Sequence, residues 1–341
     1  MGACSGGDPS DSVATTAVAV ASSTTTTTTT TTSPPPTTAP PTTDPMPGAR
    51  DPACVVVVAA GDSLGRIASE HGLTIDDLRA ENGLSGDLIH PDEELDICVG
   101  NDVDDVTGLS RLAPPPDAVE GQQTRLNALF AGYSIGRLDV DGDSGPLTRQ
   151  MICAARIGLG FRASTAHLAP GSEEEVAIFD AESLQIPAGA ATWAGHWAHV
   201  DTTCQVMFTG EGSDRVVDVF PVSTGQAGYE TRHVAGVEAF RFDPALDNEG
   251  WHDSAAFPVS VDNPLNGNMY KPIYFNDGQA IHGGGYVPPE PRSKGCVRTF
   301  PWHQDRLIAW LGLDDLTEAT WQRSTIGLVV TVVGQYRALD E

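Results

Sequence analysis

The first patterned stretch of the chain is "CVVVVAAGDSLGRIASEHGLTIDDLRAENGLSGDLIHPDEELDIC", Cys54 to Cys98, and it opens on a run of four β-branched residues. Asp62 and Ser63 stand where a helix cap is wanted, and Leu64, Ile67 and Ala68 then share one helical face by their spacing. Gly72 stops that helix. Thr74 caps a second helix carrying Ile75, Leu78 and Leu84, and "ELDIC" closes the stretch as a short alternating strand. The predicted order is strand, helix, helix, strand.

A second pattern occupies Gln123 to Gly160, "QTRLNALFAGYSIGRLDVDGDSGPLTRQMICAARIGLG", where Leu126, Leu129 and Phe130 share a helical face before a tight turn and another helix. Asp139, Asp141 and Asp143 alternate in that turn as calcium ligands do. An EF-hand, however, needs Gly and Glu where this chain has Ser144 and Gln150. From His199 the pattern becomes strand-like. "HVDTTCQVMFTGEGSDRVVDVFPVSTG" alternates apolar and polar positions across two strands with "GEGSD" as the turn, which predicts a hairpin. Further strand-like runs follow at "AFRFDP", "KPIYFNDGQAIHGG" and "STIGLVVTVVG", with one helix from Gln304 to Leu313. Strands with a single helix indicate a β-rich sandwich and exclude a doubly wound parallel sheet.

Composition adds location. The net charge of −27 excludes a nucleic-acid partner, whose phosphates reward a basic face. From Ser22 the chain is a threonine tract followed by "SPPPTTAPPTTDPMP", a solvated stalk with almost nothing to bury. "MGACSGG" at Met1 to Gly7 resembles the end of a bacterial lipoprotein signal, which makes Cys4 a lipidation candidate and the only membrane anchor. The apolar stretch that precedes such a box is missing, so the true start is expected upstream of Met1. The organisation read from these shifts is 1–52 lipoprotein-like N-terminus and stalk, 53–99 first folded unit, 100–119 acidic proline-rich linker, 120–164 helical unit, 165–198 connecting segment and 199–335 β-rich unit.

The chemistry concentrates in "IHGGGYVPPEPRSKGCVRTF", Ile281 to Phe300. A thiol becomes a nucleophile on losing its proton, and an imidazole or nearby cation promotes that loss. His282 can act as base for Cys296. The glycine before Cys296 suits a tight turn that exposes the sulfur and aims backbone N–H groups of Gly295 and Cys296 at a developing oxyanion. Lys294, one of only two lysines, adds positive charge. Of the other histidines, His196 and His199 in "HWAH", His252 and His303 lack an accompanying acidic motif, so no metal is expected. Trp193, Trp197, Trp251 and Trp302 read as core or cleft-wall aromatics.

Three resemblances organise these readings. The Cys54–Cys98 stretch, with "GDSLGRIASEHGLT" and "ENGL", resembles a LysM module, which implies binding to the glycan strands of peptidoglycan. In that fold Cys54 and Cys98 end the two outer strands, so they are expected to form a disulfide, the alternative being two buried thiols. "VDGDSGPLTRQ" is similar to the aspartate-glycine turn of small helical peptidoglycan-binding-like domains. The stretch from about Val200 to Val333 resembles the L,D-transpeptidase (YkuD-type) catalytic domain, above all its short-loop actinobacterial members. It carries "STG" at Ser223 to Gly225, "TR" at Thr231 and Arg232, "NMYKPIYF", and His282, Ser293, Gly295, Cys296, Val297 and Arg298 in signature order. Lys294 replaces the family's common histidine.

That resemblance implies a fold class: a β-rich L,D-transpeptidase sandwich preceded by a small βααβ LysM module and a small helical domain. It also implies Cys296 as nucleophile and His282 as acid and base, with Ser293 orienting the loop and no cofactor. Gly295 and Cys296 would supply the oxyanion hole, and Arg298, Lys294 and Gly283 would contact a stem tetrapeptide. The protein would be extracytoplasmic, at the cell wall or on the outer face of the membrane. With Cys4 set aside for lipid and Cys54 paired with Cys98, Cys153 with Cys204 is the simplest remaining pair, and Cys204 with Cys296 stays open. A non-catalytic wall-binding protein and an L,D-carboxypeptidase are the alternative readings.

Overall fold

The computed structural model describes residues 51–84, 86–253 and 268–338. Cys4 and the threonine and proline stalk lie outside the described residues. The first folded unit runs β1 (Val55–Val57), α1 (Leu64–Glu70), α2 (Ile75–Glu81) and β2 (Glu94–Asp96), with β1 and β2 antiparallel. Ser63 and Thr74 cap the two helices through their side-chain oxygens, and Thr74 and Asp77 make a reciprocal capping box. Leu64, Ile67, Leu78, Leu84 and Leu95 fill a core too small to be generous. A Cys54–Cys98 disulfide joins the ends of the strands, with the Cα atoms 5.1 Å apart.

The expected linker at 100–119 is largely structured. It forms a two-stranded ribbon, β3 (Val103–Asp104) with β4 (Leu109–Ser110), and then starts α3 (Pro116–Leu129), whose fixed-φ proline suits a first turn. Arg111 reaches back to the Glu81 carbonyl at 3.0 Å and to Asp96 at 3.3 Å, so the ribbon is tied to the first unit.

The helical unit comprises α3, α4 (Pro146–Gly158) and α5 (Glu173–Asp180). The last of these falls in the stretch read as connecting. Its start is fixed by Ser172, which accepts from the Glu175 N–H, and by Glu173, Glu174 and Glu175 at the positive end of the helix dipole. Its apolar content is too slight to announce it, since Ile178 is its one buried residue.

The C-terminal unit contains two five-stranded sheets. The first has the order β7-β6-β5-β14-β8, from β5 (His196–Asp201), β6 (Val206–Glu211), β7 (Arg215–Pro221), β8 (Val234–Glu238) and β14 (Leu328–Val333). Three strands therefore stand where the alternation predicted two. The turn between β5 and β6 is Thr202–Gln205, which lacks glycine or proline and is closed by Asp201 accepting from the Cys204 N–H at 2.9 Å. The second sheet runs β10 (Trp251–Asp253), β11 (Asn268–Asn276), β12 (Gln279–Gly283) and β13 (Val297–Thr299), with β9 (Arg241–Phe242) pairing β11. Helix α6 (Pro301–Trp310) starts three residues before the predicted Gln304, again on a proline, and ends ahead of Gly312 in the left-handed region.

One core lies between the sheets. Val200, Met207, Phe220 and Val330 of the first meet Phe242, Ile273, Ile281 and Val297 of the second, with Leu307 and Ile308 of α6. The other face of the first sheet, with Trp197, Phe208 and Val219, packs on Leu126, Phe130 and Ile152 of the helices. The helical unit and the first sheet thus share a core, and a Cys153–Cys204 disulfide joins them. Of the four tryptophans read as core or cleft wall, Trp197 is fully buried while Trp193 and Trp302 are largely exposed.

Arg156 holds the helical unit's loop together. It is fully buried, pairs with Glu174 at 2.9 Å, and donates to the carbonyls of Ser164, Ala166 and His167 at 2.7, 2.7 and 3.1 Å. Removing it strands a carboxylate and three carbonyls. Arg156→Met is expected to lower the unfolding free energy by about 3–5 kcal/mol in urea titrations with both disulfides intact. A loss below about 1 kcal/mol would show that water replaces those bonds.

Candidate active site

Strand alternation creates the site. β12 and β13 are parallel and in register, with Ile281 beside Val297, His282 beside Arg298 and Gly283 beside Thr299. Ile281 and Val297 are fully buried in the core between the sheets, so Ala280, His282, Cys296 and Arg298 point to the opposite face. On that face Cys296 packs beside Met269, Tyr274, Ala280 and Phe240. Cys296 is the free thiol among the described cysteines and is partly exposed.

The imidazole of His282 is 5% exposed, and its Nδ1 lies 2.8 Å from the Gly283 carbonyl. A carbonyl can only accept, so Nδ1 carries the proton and Nε2 is left as the basic nitrogen. Burial pushes the His282 pKa down to about 4, with Arg298 acting in the same direction and the Gly283 hydrogen bond opposing. Burial pushes the Cys296 thiol up, while an Ala280 backbone hydrogen bond and Arg298 pull it back. At neutral pH the pair is therefore a neutral thiol and a neutral imidazole rather than a preformed ion pair.

The loop before the cysteine is fixed by its neighbours. Ser293 is buried, and its hydroxyl donates to the Cys296 carbonyl at 2.6 Å. Its N–H donates to the Thr224 carbonyl at 2.9 Å, and the Gln226 N–H donates to the Ser293 carbonyl at 2.9 Å. Ser223 and Arg298 exchange backbone hydrogen bonds of 2.8 and 3.0 Å. Gly295 has φ +100, and a Cβ there would sit 2.6 Å from Gln279 Nε2, so this turn requires glycine.

The sequence-predicted residues thus converge unevenly. Cys296, His282 and Arg298 share one face, and Ser293 and Gly295 shape the turn beside it. Gly283, expected to touch substrate, offers its carbonyl to His282, and a Cβ on it would meet the Pro301 Cα at 2.9 Å. Lys294 lines a cleft on the side of the first folded unit. Sequence reasoning gave no role to Ser223, Thr224, Ala280 or the aromatic wall of Phe240, Tyr274 and Trp321, with Arg241 lying 5.1 and 4.9 Å over the last two rings. The "STG" motif was the available signal for Ser223 and Thr224. The candidate metal histidines lie in different surroundings: His199 is buried in the first sheet, His196 packs edge-on to Trp310, His252 faces Asp243 at 3.2 Å and His303 packs on Phe220.

The pH dependence of thiol alkylation checks the neutral pair. A thiolate held by a charged histidine reacts over a broad plateau from acid to neutral pH. Here alkylation of Cys296 by iodoacetamide, followed by intact mass, is expected to lack that plateau. Its rate should show no break near the ordinary histidine value of about 6.5 and should climb above the ordinary thiol value of about 8.5.

Comparison with known proteins finds two domain matches. Residues 56–97 match the LysM domain model, and residues 195–330 match the L,D-transpeptidase catalytic domain model. No curated protein matches the chain. Among solved structures, an L,D-transpeptidase from Xylanimonas cellulosilytica is similar at 24% identity and TM-score 0.37, covering 66% of this chain and 97% of that one. One from Stackebrandtia nassauensis is similar at 20% identity and TM-score 0.35, covering 65% and 93%. L,D-transpeptidase 3 from Mycobacterium tuberculosis, in complex with a faropenem-derived adduct, is similar at 16% identity and TM-score 0.29, covering 41% and 60%. The assignment rests on the two domain models: the chain carries a LysM domain at residues 56–97 and an L,D-transpeptidase catalytic domain at residues 195–330.

Proposed function

We propose that the protein is an exported peptidoglycan L,D-transpeptidase that cross-links two third-position residues of stem peptides through a thioester on Cys296. The observation that carries this reading is the placement of Cys296 and His282 on one face of paired parallel strands, with His282 Nδ1 committed to the Gly283 carbonyl. His282 Nε2 takes the Cys296 proton as the sulfur attacks the L-centre carbonyl of the donor's third residue. The C–S bond forms, the C–N bond to D-Ala breaks, and the imidazolium returns the proton to the departing amine. A side-chain amine of a second stem then attacks the thioester. Its proton goes to His282, an amide forms and the thiolate is released.

The backbone N–H groups of Gly295 and Cys296 are the oxyanion donors in this reading, and Arg298 holds a stem carboxylate. Ser293 positions the turn and takes no part in bond making. The neutral resting pair suits an enzyme whose nucleophile is activated only as its proton passes to His282 during attack on bound substrate. No helix among the described residues is long and apolar enough to cross a membrane. Cys4 as a lipidated residue, with the threonine and proline stalk above it, would hold the protein at the outer face of the membrane. There the LysM domain would meet glycan strands, and the helical unit would assist as a peptidoglycan-binding-like domain.

Intact-protein mass spectrometry after incubation with a carbapenem tests the reading. One adduct is expected on the native protein and none on Cys296→Ala, with donor turnover falling at least about a thousandfold in that variant. A folded protein with free Cys296 and no adduct would favour the non-catalytic wall-binding reading. Hydrolysis of D-Ala without amine capture would make water the acceptor and the protein an L,D-carboxypeptidase.

A further inference from the structure

A cavity of about 610 Å³ lies between the two matched domains. Leu84, Leu88 and His90, from the segment after α2, form one wall. Tyr229, Lys294 and Tyr336 belong to the other. Leu88 and Tyr229 are 52% and 44% exposed, so each presents an uncovered apolar plate to the cavity. A concave site with apolar plates and a few fixed polar groups is the usual form of a small-ligand site.

The charge in this cleft is specific. Of the charged residues lining it, Arg232 is paired with Asp277 at 2.8 Å and Glu230 accepts from the Gly228 N–H at 2.7 Å, while outside it Arg292 pairs with Glu290 and Lys271 with Asp305. Lys294 has no carboxylate partner among the described residues, in a chain carrying 46 acidic residues against 19 lysines and arginines. Slight desolvation and the neighbouring Arg298 lower its pKa, and an incoming carboxylate would act in the opposite direction.

The walls are also fixed to one another. The Ala338 N–H donates to the Gly83 carbonyl at 2.5 Å, Arg337 donates to the Glu94 carbonyl at 2.9 Å and Arg162 pairs with Glu94 at 2.9 Å. His233 Nε2 lies 2.6 Å from the Gly334 carbonyl and its ring centroid 5.9 Å from that of His90. Reach is compatible with catalysis. The Tyr229 carbonyl lies 3.3 Å from where a Cβ of Gly295 would stand, one residue before the nucleophile. Three extended residues of a stem peptide span about 10 Å.

We infer that this cleft is a substrate subsite shared by the two domains, which takes a glycan-linked stem peptide with its sugar against Leu88 and Tyr229 and a peptide carboxylate on Lys294. The inference rests on the transpeptidase reading and deepens it: the LysM domain contributes side chains to the substrate site as well as affinity for the wall. The enzyme therefore favours stems still attached to sugar over free peptides.

The test compares the free tetrapeptide L-Ala-γ-D-Glu-diaminopimelate-D-Ala with the same peptide on its disaccharide, using the full chain. The glycan-linked donor should have a kcat/KM about tenfold higher, one decade being about 1.4 kcal/mol. Leu88→Ser should raise KM about tenfold for the glycan-linked donor alone, leaving kcat for that donor within about twofold, as loss of ground-state binding requires. Lys294→Gln should raise KM about tenfold or more for both donors, as loss of a charge-assisted hydrogen bond does. Thermal unfolding of each variant certifies the fold. Equal kcat/KM for the two donors in the native protein, or an unchanged KM in Leu88→Ser, overturns the inference while leaving the transpeptidase reading standing. Absence of turnover together with absence of a carbapenem adduct overturns both.

Discussion

The parallel pairing of β12 with β13 is the constraint on which the site depends. Its register sets Ile281 beside Val297 and His282 beside Arg298, so one alternation buries the aliphatic pair and turns the reactive residues to the other face. Parallel neighbours need a crossover, and here it is the loop between Gly283 and Val297 rather than a helix. That loop must be long enough to return the chain and rigid enough to present Cys296 in one place. Ser223, Thr224 and Gln226 supply the rigidity through hydrogen bonds to residues 293 and 298. A one-residue slip of β13 would carry Cys296 into the core between the sheets.

Burial then decides the chemistry of the pair. Buried imidazoles lose basicity and buried thiols lose acidity, and both shifts keep protons where a resting enzyme needs them. Arg298 is the counterweight. It favours the thiolate and disfavours the imidazolium, so it biases the face toward a negatively charged sulfur with a neutral base beside it. The same cation cannot make an ion pair of the two by itself. In the proposed reaction the thiolate therefore forms as the Cys296 proton passes to His282 during attack on bound substrate, not in the resting pair.

Much of this was legible in the sequence because it is local. The capped helices of the first unit, the histidine and cysteine of the candidate site, and the glycine turn at Gly295 all announce themselves through spacing and turn chemistry. The rest depends on long-range packing. Strand β5 was hidden because the Thr202–Gln205 turn uses an aspartate side chain in place of glycine or proline. Helix α5 was hidden because it buries little besides Ile178, and its worth lies in Glu174 reaching Arg156 from a distant helix. The hold of the Gly283 carbonyl on His282 was hidden for a related reason: an acceptor carbonyl has no signature, since every residue carries one.

The arrangement of the two matched domains follows from the same economy. The LysM core is small, and its second helix ends at Asn82, whose amide bridges the Leu78 carbonyl and both backbone groups of Asp96. The next residue, Gly83, adopts φ +57, and a Cβ there would sit 2.6 Å from the Ala338 carbonyl oxygen. The C-terminal segment can therefore lie directly along this backbone, which a larger residue at 83 would prevent. Arg111 from the ribbon on one side and Arg337 from the C-terminal segment on the other both bond backbone carbonyls of the LysM domain. A small module held by two separate stretches of chain loses much of the freedom that a tethered binding module usually has. The chain thus trades reach for register: wherever the LysM domain sits, the face bearing Cys296 is carried to a set position beside it.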